Sequence, residues 1–269
     1  MTTLEFQNVV KKYSLRGGWR SHELTAVDDV SFTLESGKTV ALVGQSGSGK
    51  STIAKLLMQL ERPTSGQILL DGEPIHRHGR GLHEYRRNVQ MVFQDPFASL
   101  NPYHTVAHHL VRPLKLHGRV RGNEEAEAGA LRLLERVRLT PAEEIAAKRP
   151  HELSGGQRQR VAIARALAPE PTMLVADEPV SMLDVSIRLG VLNLLSGLQR
   201  EENLGVLYIT HDLATARHFS DEILVMYRGQ IVERGPADDV ILNPQHEYTK
   251  LLAAAAPNPE LRVQQLRRS

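Results

Sequence analysis

The stretch Gly44-Gln45-Ser46-Gly47-Ser48-Gly49-Lys50-Ser51 decides the fold, because it fits the phosphate-binding pattern G-x-x-x-x-G-K-[ST]. Its glycines let successive backbone N–H groups and the N-terminus of the next helix face an anion. The lysine of such a loop reaches the β- and γ-phosphate oxygens, and its final hydroxyl binds Mg²⁺. Position 52 is Thr52 instead of a third glycine, so the loop does not fit the dinucleotide-binding pattern.

The segments on either side of the loop have the patterns of a buried strand and an amphipathic helix. Residues 39–43 form a short, continuously apolar run, as expected for a strand covered on both faces. After the loop, apolar residues recur at helical spacing: Ile53, Leu56, Leu57 and Leu60. They predict a helix that ends before Pro63. Strand, loop and helix thus follow one another, which is the context that the motif requires.

Farther along the chain, strand and helix patterns alternate and predict an α/β fold with a parallel sheet. Strand-like runs cover residues 173–176, 206–209 and 222–227, and a helix carries the apolar residues between 187 and 198. The segments 4–13 and 30–34 alternate in polarity on either side of a loop at 16–20, which predicts antiparallel strands. Residues 67–72 suggest a hairpin, and residues 89–94 another strand. From residue 96 to residue 165 only helix patterns occur, including a capping box predicted at Thr140-Pro141, and we interpret them as a helical insertion.

The composition is that of an ordinary globular protein, with 269 residues, 41% of them hydrophobic and 24% charged. Because 33 Lys and Arg residues nearly balance 31 Asp and Glu residues, no nucleic-acid partner is expected. The absence of cysteine excludes disulfides, thiolate zinc sites and cysteine-ligated clusters. No run of about 18 uncharged apolar residues is available to span a bilayer, so any membrane role is expected to be peripheral.

Chemically reactive side chains follow two of the predicted strands. Asp177 and Glu178 come directly after residues 173–176, and His211 comes after residues 206–210. Ligands of open α/β sheets bind at the carboxyl ends of the strands. One of the acids therefore suits Mg²⁺ and the other suits activation of water, while His211 is expected to face the γ-phosphate. For an isolated Asp-Glu pair, a solvated strand end is the alternative interpretation.

Together these motifs resemble the ATPase subunits of ABC transporters. The resemblance rests on the order and spacing of residues 44–51, Leu153-Ser154-Gly155-Gly156-Gln157, Asp177-Glu178, Ser181-Met182-Leu183-Asp184 and His211. It implies an α/β P-loop NTPase (RecA-like) core with an antiparallel β portion and an α-helical subdomain inserted at about 96–165. The ATPase domain is expected to cover residues 1–240, and residues 241–269 are expected to form a C-terminal extension.

The resemblance also implies a head-to-tail dimer that holds two ATP molecules and Mg²⁺ at its interface. Tyr13 would stack on adenine, and the loop residues would bind the phosphates: Gly44, Gln45, Ser46, Gly47, Ser48, Gly49, Lys50, Ser51 and Thr52. Magnesium would be held by Ser51, Gln94 and Asp177. The catalytic set would be Glu178, which polarises water, with His211, Lys50 and Gln94. The partner's ATP would be bound by Ser154, Gly155, Gly156 and Gln157, with Asp184 communicating across the interface.

Finer resemblance points to one branch of this family. The segments 94–102, 177–186 and 243–249 are similar to those of dipeptide/oligopeptide and nickel importers. The branch implies two transmembrane permease subunits, a second ATPase subunit, an extracytoplasmic solute-binding protein and a peripheral position on the cytoplasmic face of the membrane. A permease helix is expected to dock at Gln94 and the helical insertion. Di/oligopeptides are the favoured solutes, and nickel and oligosaccharides remain alternatives.

Other functions fit the sequence less well. A soluble P-loop kinase would not need the segment 153–157, a DNA-repair ATPase of this superfamily would need a coiled-coil insertion, and a translation factor would need two cores. A soluble ABC-type ATPase that serves a non-transport complex remains open.

The twelve histidines, including His108 and His109, are interpreted as surface residues, since no carboxylate or thiol completes a metal shell. Trp19 is expected to pack locally, and the C-terminal arginines Arg262, Arg267 and Arg268 are expected to form a solvated end.

Overall fold

The computed structural model describes residues 1–17, 20–76 and 78–255. Trp19 and the three C-terminal arginines lie outside the described residues. Within the described ranges, no helix is both long enough and apolar enough to cross a bilayer.

Strands of the described residues form two sheets. They are β1 (Thr3–Gly17), β2 (Arg20–Glu35), β3 (Thr39–Val43), β4 (Ser65–Leu70), β5 (Glu73–Pro74), β6 (Val89–Val92), β7 (Met173–Asp177), β8 (Gly205–Thr210), β9 (Glu222–Tyr227) and β10 (Gln230–Pro236). The larger sheet has the order β10-β9-β3-β8-β7-β6, in which β10 is antiparallel to β9 and the other neighbours are parallel. The smaller sheet is antiparallel, in the order β2-β1-β4-β5. The α/β prediction is confirmed.

Helices connect the parallel strands and fill the stretch between β6 and β7. They are α1 (Lys50–Leu57), α2 (Gly79–Asn88), α3 (Pro96–Ser99), α4 (Val106–Leu116), α5 (Asn123–Arg136), α6 (Ala142–Ala147), α7 (Gly155–Leu167), α8 (Val185–Glu201), α9 (Leu213–Phe219), α10 (Ala237–Leu242) and α11 (Glu247–Ala255). A 3-10 helix at Pro150–Glu152 precedes α7. Residues 96–165 contain helices and no strand.

The parallel sheet lies between two apolar clusters, which explains why β3 is buried at every position. Ala41 and Val43 belong to one cluster, together with side chains of the helices between β6 and β7 and of α8. Val40 and Leu42 belong to the other cluster, together with α1 and the antiparallel sheet. Because both faces of β3 are covered, the loop that follows it starts from a fixed point.

Several predictions of local structure were wrong in detail. Helix α1 ends at Leu57 and Leu60 is 65% exposed, because the chain turns at Gln59, whose φ of 54° is left-handed. Thr140 does not cap α6, since Pro141 is the extended N-cap residue and leaves Thr140 one position too far away. Of the residues predicted to form the loop at 16–20, residues 16 and 17 belong to β1 and Arg20 belongs to β2, whereas residues 18 and 19 lie outside the described residues.

Candidate nucleotide-binding and catalytic site

The loop between β3 and α1 needs glycine where it approaches its neighbours. A Cβ atom at Gly44 would lie 2.3 Å from the carbonyl oxygen of Met226 in β9. Gly49 has a φ of 116°, and a Cβ there would lie 2.4 Å from the carbonyl oxygen of Ala26. The left-handed φ of Gly49 is costly for residues with a side chain. The loop therefore lies directly against β2 and β9 with backbone on both sides.

Lys50 begins α1 and folds back over the loop. Its side chain is buried, and Nζ donates hydrogen bonds to the carbonyl oxygens of Gly44 at 2.6 Å and Gln45 at 2.9 Å. Burial lowers the pKa of the Lys50 ammonium, and the charges of Glu178 and Asp177 oppose that shift. The amine is thus held by the loop and lies within the field of two acids.

The donor set of the loop fits a polyphosphate. The hydroxyl oxygen of Ser48 is buried and has no hydrogen-bond partner in the described structure, while the side chain of Ser51 is exposed at the start of α1. An ammonium, hydroxyl groups and the N-terminus of a helix are the groups that bind phosphate oxygens in proteins. The hydroxyl of Ser51 and the carboxyl of Asp177 are hard oxygen donors of the kind that Mg²⁺ prefers.

The two acids stand at the carboxyl end of β7. Asp177 is the last residue of the strand, and Glu178 follows it with a left-handed φ of 44°. The N–H of Glu178 donates to the carbonyl oxygen of Ile209 in β8 at 2.9 Å, and the Ser181 hydroxyl donates to the Glu178 carbonyl oxygen at 3.0 Å. These bonds hold an unusual backbone conformation, which re-aims the Glu178 side chain away from the direction of the strand.

Glu178 is the centre of a polar cluster. Gln94 donates from Nε2 to one carboxylate oxygen at 3.2 Å, and Nδ1 of His211 lies 3.1 Å from the other. Gln94 follows β6 and His211 follows β8, so neighbouring strands on both sides of β7 supply these contacts. The structure therefore brings together three residues that the sequence places far apart. The strand ends predicted that Glu178 and His211 lie at one edge of the sheet, and Gln94 was assigned to the site only by the family resemblance.

The ionised carboxylate of Asp177 is electrostatically unfavourable in the folded chain. Burial raises the pKa of the Asp177 carboxyl, the charge of Glu178 raises it further, and the charge of Lys50 opposes both. In the range between the pKa of the unfolded chain and this raised value, the folded chain holds the proton more tightly than the unfolded chain. At pH values above the raised pKa, the ionised carboxylate therefore lowers the free energy of unfolding.

We expect Asp177→Asn to raise the Tm at pH 7, because the amide removes an ionised group that burial disfavours. The gain should fade as the pH falls below the ordinary pKa of aspartate, where the carboxyl is protonated in both states. Scanning calorimetry of both proteins across this pH range measures the difference. A lower Tm for the variant at pH 7 would contradict the conclusion that the ionised Asp177 carboxylate destabilises the folded chain.

The segment at the start of α7 forms a capping box, whereas the sequence patterns predicted one only at Thr140-Pro141. The Ser154 hydroxyl accepts from the Gln157 N–H at 3.2 Å, and the Gln157 side chain accepts from the Ser154 N–H at 2.9 Å. A Cβ at Gly156 would lie 2.7 Å from Cγ2 of Ile187, so this turn packs closely on α8. Asp184, the N-cap residue of α8, is exposed beside it. In the described chain, the side chains of Ser154 and Gln157 each bond to the backbone N–H of the other residue and not to the loop at 44–51.

Tyr13 contacts a cation of its own strand. The ammonium of Lys11 lies 4.8 Å from the centroid of the Tyr13 ring, and the same ammonium donates to Glu61 at 2.8 Å. This cation covers one face of the ring. The described contact of Tyr13 is therefore with Lys11, and stacking on adenine remains a prediction.

One contact to the loop was not predicted. The hydroxyl of Tyr248 in α11 accepts a hydrogen bond from the N–H of Gln45 at 2.9 Å. The segment 243–249 was noted only for its resemblance to one branch of the family. A buried tyrosine needs a partner for its hydroxyl, but the sequence does not indicate which one.

A groove of about 1270 Å³ opens beside the polar cluster. Gln94 and Asp177 line one end of it. Basic and imidazole side chains line the helical wall: His104, His108, His109, Arg112, Lys115 and Arg165. The rings of His104 and His108 stack at 4.0 Å, and burial lowers the pKa of His109. Among the described residues, no group of three or more His, Asp or Glu side chains is placed to hold a metal ion.

Taken together, the fold and the loop define a P-loop NTPase, as predicted. The sequence profile described as "ABC transporter" matches residues 27–181, which is more than half of the chain. The chain belongs to the ABC transporter family.

Relatives and solved structures agree with this assignment. The chain is 48% identical over 261 residues to the glutathione import ATP-binding protein GsiA of Shigella dysenteriae, and 47% identical over 258 residues to that of Salmonella typhi. These matches cover 96% and 94% of this chain, respectively, and the chain spans about two fifths (41%) of the length of either relative. The names of these relatives agree with the importer branch that the sequence resembles.

Among solved structures, the ATP-binding cassette MJ0796, a dimer bound to ADP and Pi, matches with a TM-score of 0.74 and 33% identity over 87% of this chain and 98% of that one. The cbiO1 protein of Clostridium perfringens, part of the ABC transporter complex cbiONQ, matches with a TM-score of 0.78 and 26% identity over 99% of this chain and 98% of that one. Both similarities extend over nearly the whole of the solved chains.

Proposed function

We propose that this chain is the ATP-hydrolysing subunit that energises solute import through an ABC transporter. The observation that carries the proposal is the convergence of Gln94, Glu178 and His211 beside a phosphate loop whose lysine is buried. Close relatives are named as import ATP-binding proteins, which supports import as the direction of transport.

The loop binds the triphosphate of ATP. The N–H of Gln45 bonds to Tyr248, whereas other N–H groups of the loop and the start of α1 face the phosphates. Lys50 leaves the loop carbonyls to bind β- and γ-phosphate oxygens. Ser51, Gln94 and Asp177 hold Mg²⁺, which neutralises the charge on the phosphates when it is bound. Thr52 and the loop glycines complete the phosphate contacts. Because Lys50 is buried, its charge acts with little screening by water.

Glu178 polarises the attacking water. Gln94 contacts one oxygen of the Glu178 carboxylate and His211 contacts the other. The group that receives the proton therefore has a fixed orientation. His211 is itself placed to bind the γ-phosphate, and Gln94 links the site to the groove. Phosphoryl transfer depends chiefly on such positioning and charge stabilisation.

The signature segment acts on the nucleotide of a second ATPase subunit. Ser154, Gly155, Gly156 and Gln157 face the partner's phosphates, and Asp184 lies beside them at the same surface. The start of α7 offers backbone N–H groups, and the capping box fixes their direction. Each ATP is therefore bound between the loop of one subunit and this segment of the other.

Mixed dimers of two differently tagged copies test this arrangement in trans. When Lys50→Ala and Ser154→Arg are placed in the same subunit, we expect both sites to be disabled and ATPase activity to be lost. When the two substitutions are placed in opposite subunits, one site stays intact and activity remains. The reverse pattern, with activity only when both substitutions share a subunit, would show that the segment acts on its own loop.

One of the two permease subunits of the transporter docks on the groove that Gln94 lines. Its wall combines apolar side chains with the basic groups of Arg112, Lys115 and Arg165, which favours a cytoplasmic permease helix with apolar and acidic side chains. This docking places the chain as a peripheral subunit on the cytoplasmic face of the membrane. Residues 1–240 form the ATPase domain, with the helical subdomain at about 96–165, and residues 241–269 form a C-terminal extension.

The imported solutes are di- or oligopeptides, the class to which the glutathione named for the relatives belongs. The complex recovered with its permeases and solute-binding protein can be reconstituted in liposomes. ATP-dependent uptake of labelled dipeptides, glutathione, nickel and an oligosaccharide is then compared. We expect uptake of peptides, and uptake of only nickel or the oligosaccharide would assign the chain to another member of the same branch.

A further inference from the structure

The C-terminal segment reaches the phosphate loop through one side chain. Tyr248, near the start of α11, is 7% exposed, and its hydroxyl accepts the hydrogen bond from the N–H of Gln45. The two residues are 203 positions apart in the sequence. This contact therefore joins the second residue of the loop to a helix that lies beyond the last strand of the sheet.

The peptide bond between Gly44 and Gln45 is held from both sides. Its carbonyl oxygen accepts from Nζ of Lys50 at 2.6 Å, and its N–H donates to Tyr248 at 2.9 Å. The next carbonyl, that of Gln45, accepts from Lys50 and from the N–H of Ser48. Lys50 must leave these carbonyls to bind a phosphate, whereas the bond to Tyr248 does not involve the Lys50 amine.

Tyr248 is rigid because its ring packs on a residue that belongs to the same wall of the loop. The rings of Tyr248 and Tyr227 stack with centroids 4.2 Å apart and an angle of 28° between their planes. Tyr227 ends β9, directly after Met226, whose carbonyl oxygen closes the space at Gly44. The Tyr248 hydroxyl therefore reaches the loop beside β9, the strand on which the loop also packs at Gly44.

Glu233 of β10 fixes the approach to α11. Its carboxylate accepts from the N–H of Gln245 at 2.7 Å and of His246 at 3.0 Å, and Nδ1 of His246 accepts from the N–H of Tyr248 at 3.1 Å. Burial would raise the pKa of Glu233, but the hydrogen bonds that its carboxylate accepts outweigh burial and lower it. The carboxylate therefore stays ionised near neutral pH and anchors the segment that carries Tyr248.

We propose that Tyr248 is a positioning residue for the nucleotide, because its hydroxyl holds the Gly44–Gln45 peptide bond in the orientation that receives the triphosphate. The identification of the ligand as ATP rests on the proposed function. Tyr248 does not touch the reacting atoms. Its effect is therefore on binding, by preorganising the loop, and not on the chemical step.

The test is Tyr248→Phe in the full chain, which keeps the stacked ring and removes the acceptor. We expect the KM for MgATP and the Kd for ATP to rise by about three- to tenfold, the range for loss of one such hydrogen bond. The kcat should change by less than about twofold, because the variant alters only the ground-state shape of the loop. Steady-state kinetics and calorimetric titration measure both quantities.

Tyr85→Phe is the matched control. Tyr85 is also buried, and its hydroxyl donates to the carbonyl oxygen of Leu57 at the far end of α1. Tyr85→Phe loses a buried hydrogen bond and Tyr248→Phe loses a partly buried one, so Tyr85→Phe should lower the Tm by at least as much. Only Tyr248→Phe should weaken ATP binding, so the comparison separates loop positioning from general stability.

Glu233→Gln gives an independent test, because it disturbs the anchor without touching the loop. We expect a weaker rise in the Kd for ATP, and the double variant with Tyr248→Phe should bind no more weakly than Tyr248→Phe alone. An unchanged Kd in Tyr248→Phe, or additive effects in the double variant, would overturn the inference. If the unaltered chain fails to bind ATP, the proposed function itself fails and the inference fails with it.

Discussion

Glu178→Gln is expected to bind ATP with nearly unchanged affinity and to hydrolyse it at least about a hundredfold more slowly, the loss typical of removing one positioned catalytic group. The amide keeps the shape of the side chain and can still bond to Gln94 and His211. It cannot accept a proton from water. Single-turnover hydrolysis and equilibrium binding of ATP, measured on the same preparation, separate the two effects.

A surface carboxylate provides the control for this variant. Glu201→Gln, at the exposed end of α8, makes the same chemical change away from the loop and should leave turnover unaltered. Normal turnover in Glu178→Gln would transfer the activation of water to another residue. Equal slowing in both variants would indicate a general effect of charge.

Lys50→Ala is expected to lose productive ATP binding, with affinity falling by about a hundredfold or more. A hydrogen bond between charged groups contributes about 1.5–3 kcal/mol, and Lys50 binds more than one phosphate oxygen. Burial disfavours the charged form of the Lys50 amine in the folded chain. Removal of this charge should therefore not unfold the variant. Titration with ATP and circular dichroism measure binding and folding separately.

Lys55→Ala is the control for Lys50→Ala, since Lys55 is exposed on the same helix. It should bind ATP as the unaltered chain does. Undiminished ATPase activity in Lys50→Ala would remove the phosphate loop from the site. Unfolding of that variant would instead show that the ammonium holds the loop together through Gly44 and Gln45.

The parts of the site that follow strand ends could be predicted from the sequence. Asp177, Glu178 and His211 come directly after apolar runs, and parallel strands place their carboxyl ends along one edge. The contacts of Glu178 with Gln94 and His211 are the consequence. The capping box at Ser154 and Gln157 could also have been predicted, because it depends on residues three positions apart.

Contacts that depend on tertiary packing could not be predicted. Tyr248 reaches Gln45 only because β9 and α11 meet at the loop, and no local pattern encodes that meeting. Helix α2 was not predicted, since Tyr85 is its only buried residue and gives no apolar stripe.

The central claim is that this chain drives import through membrane permeases. Its most direct test is mass spectrometry of the proteins retained by tagged Glu178→Gln chain, purified with ATP from gently solubilised membranes of its own host. We predict that two permeases and a second ATPase are recovered. Recovery of only soluble proteins or nucleic acid would contradict the transport function and would favour an ATPase that serves a non-transport complex.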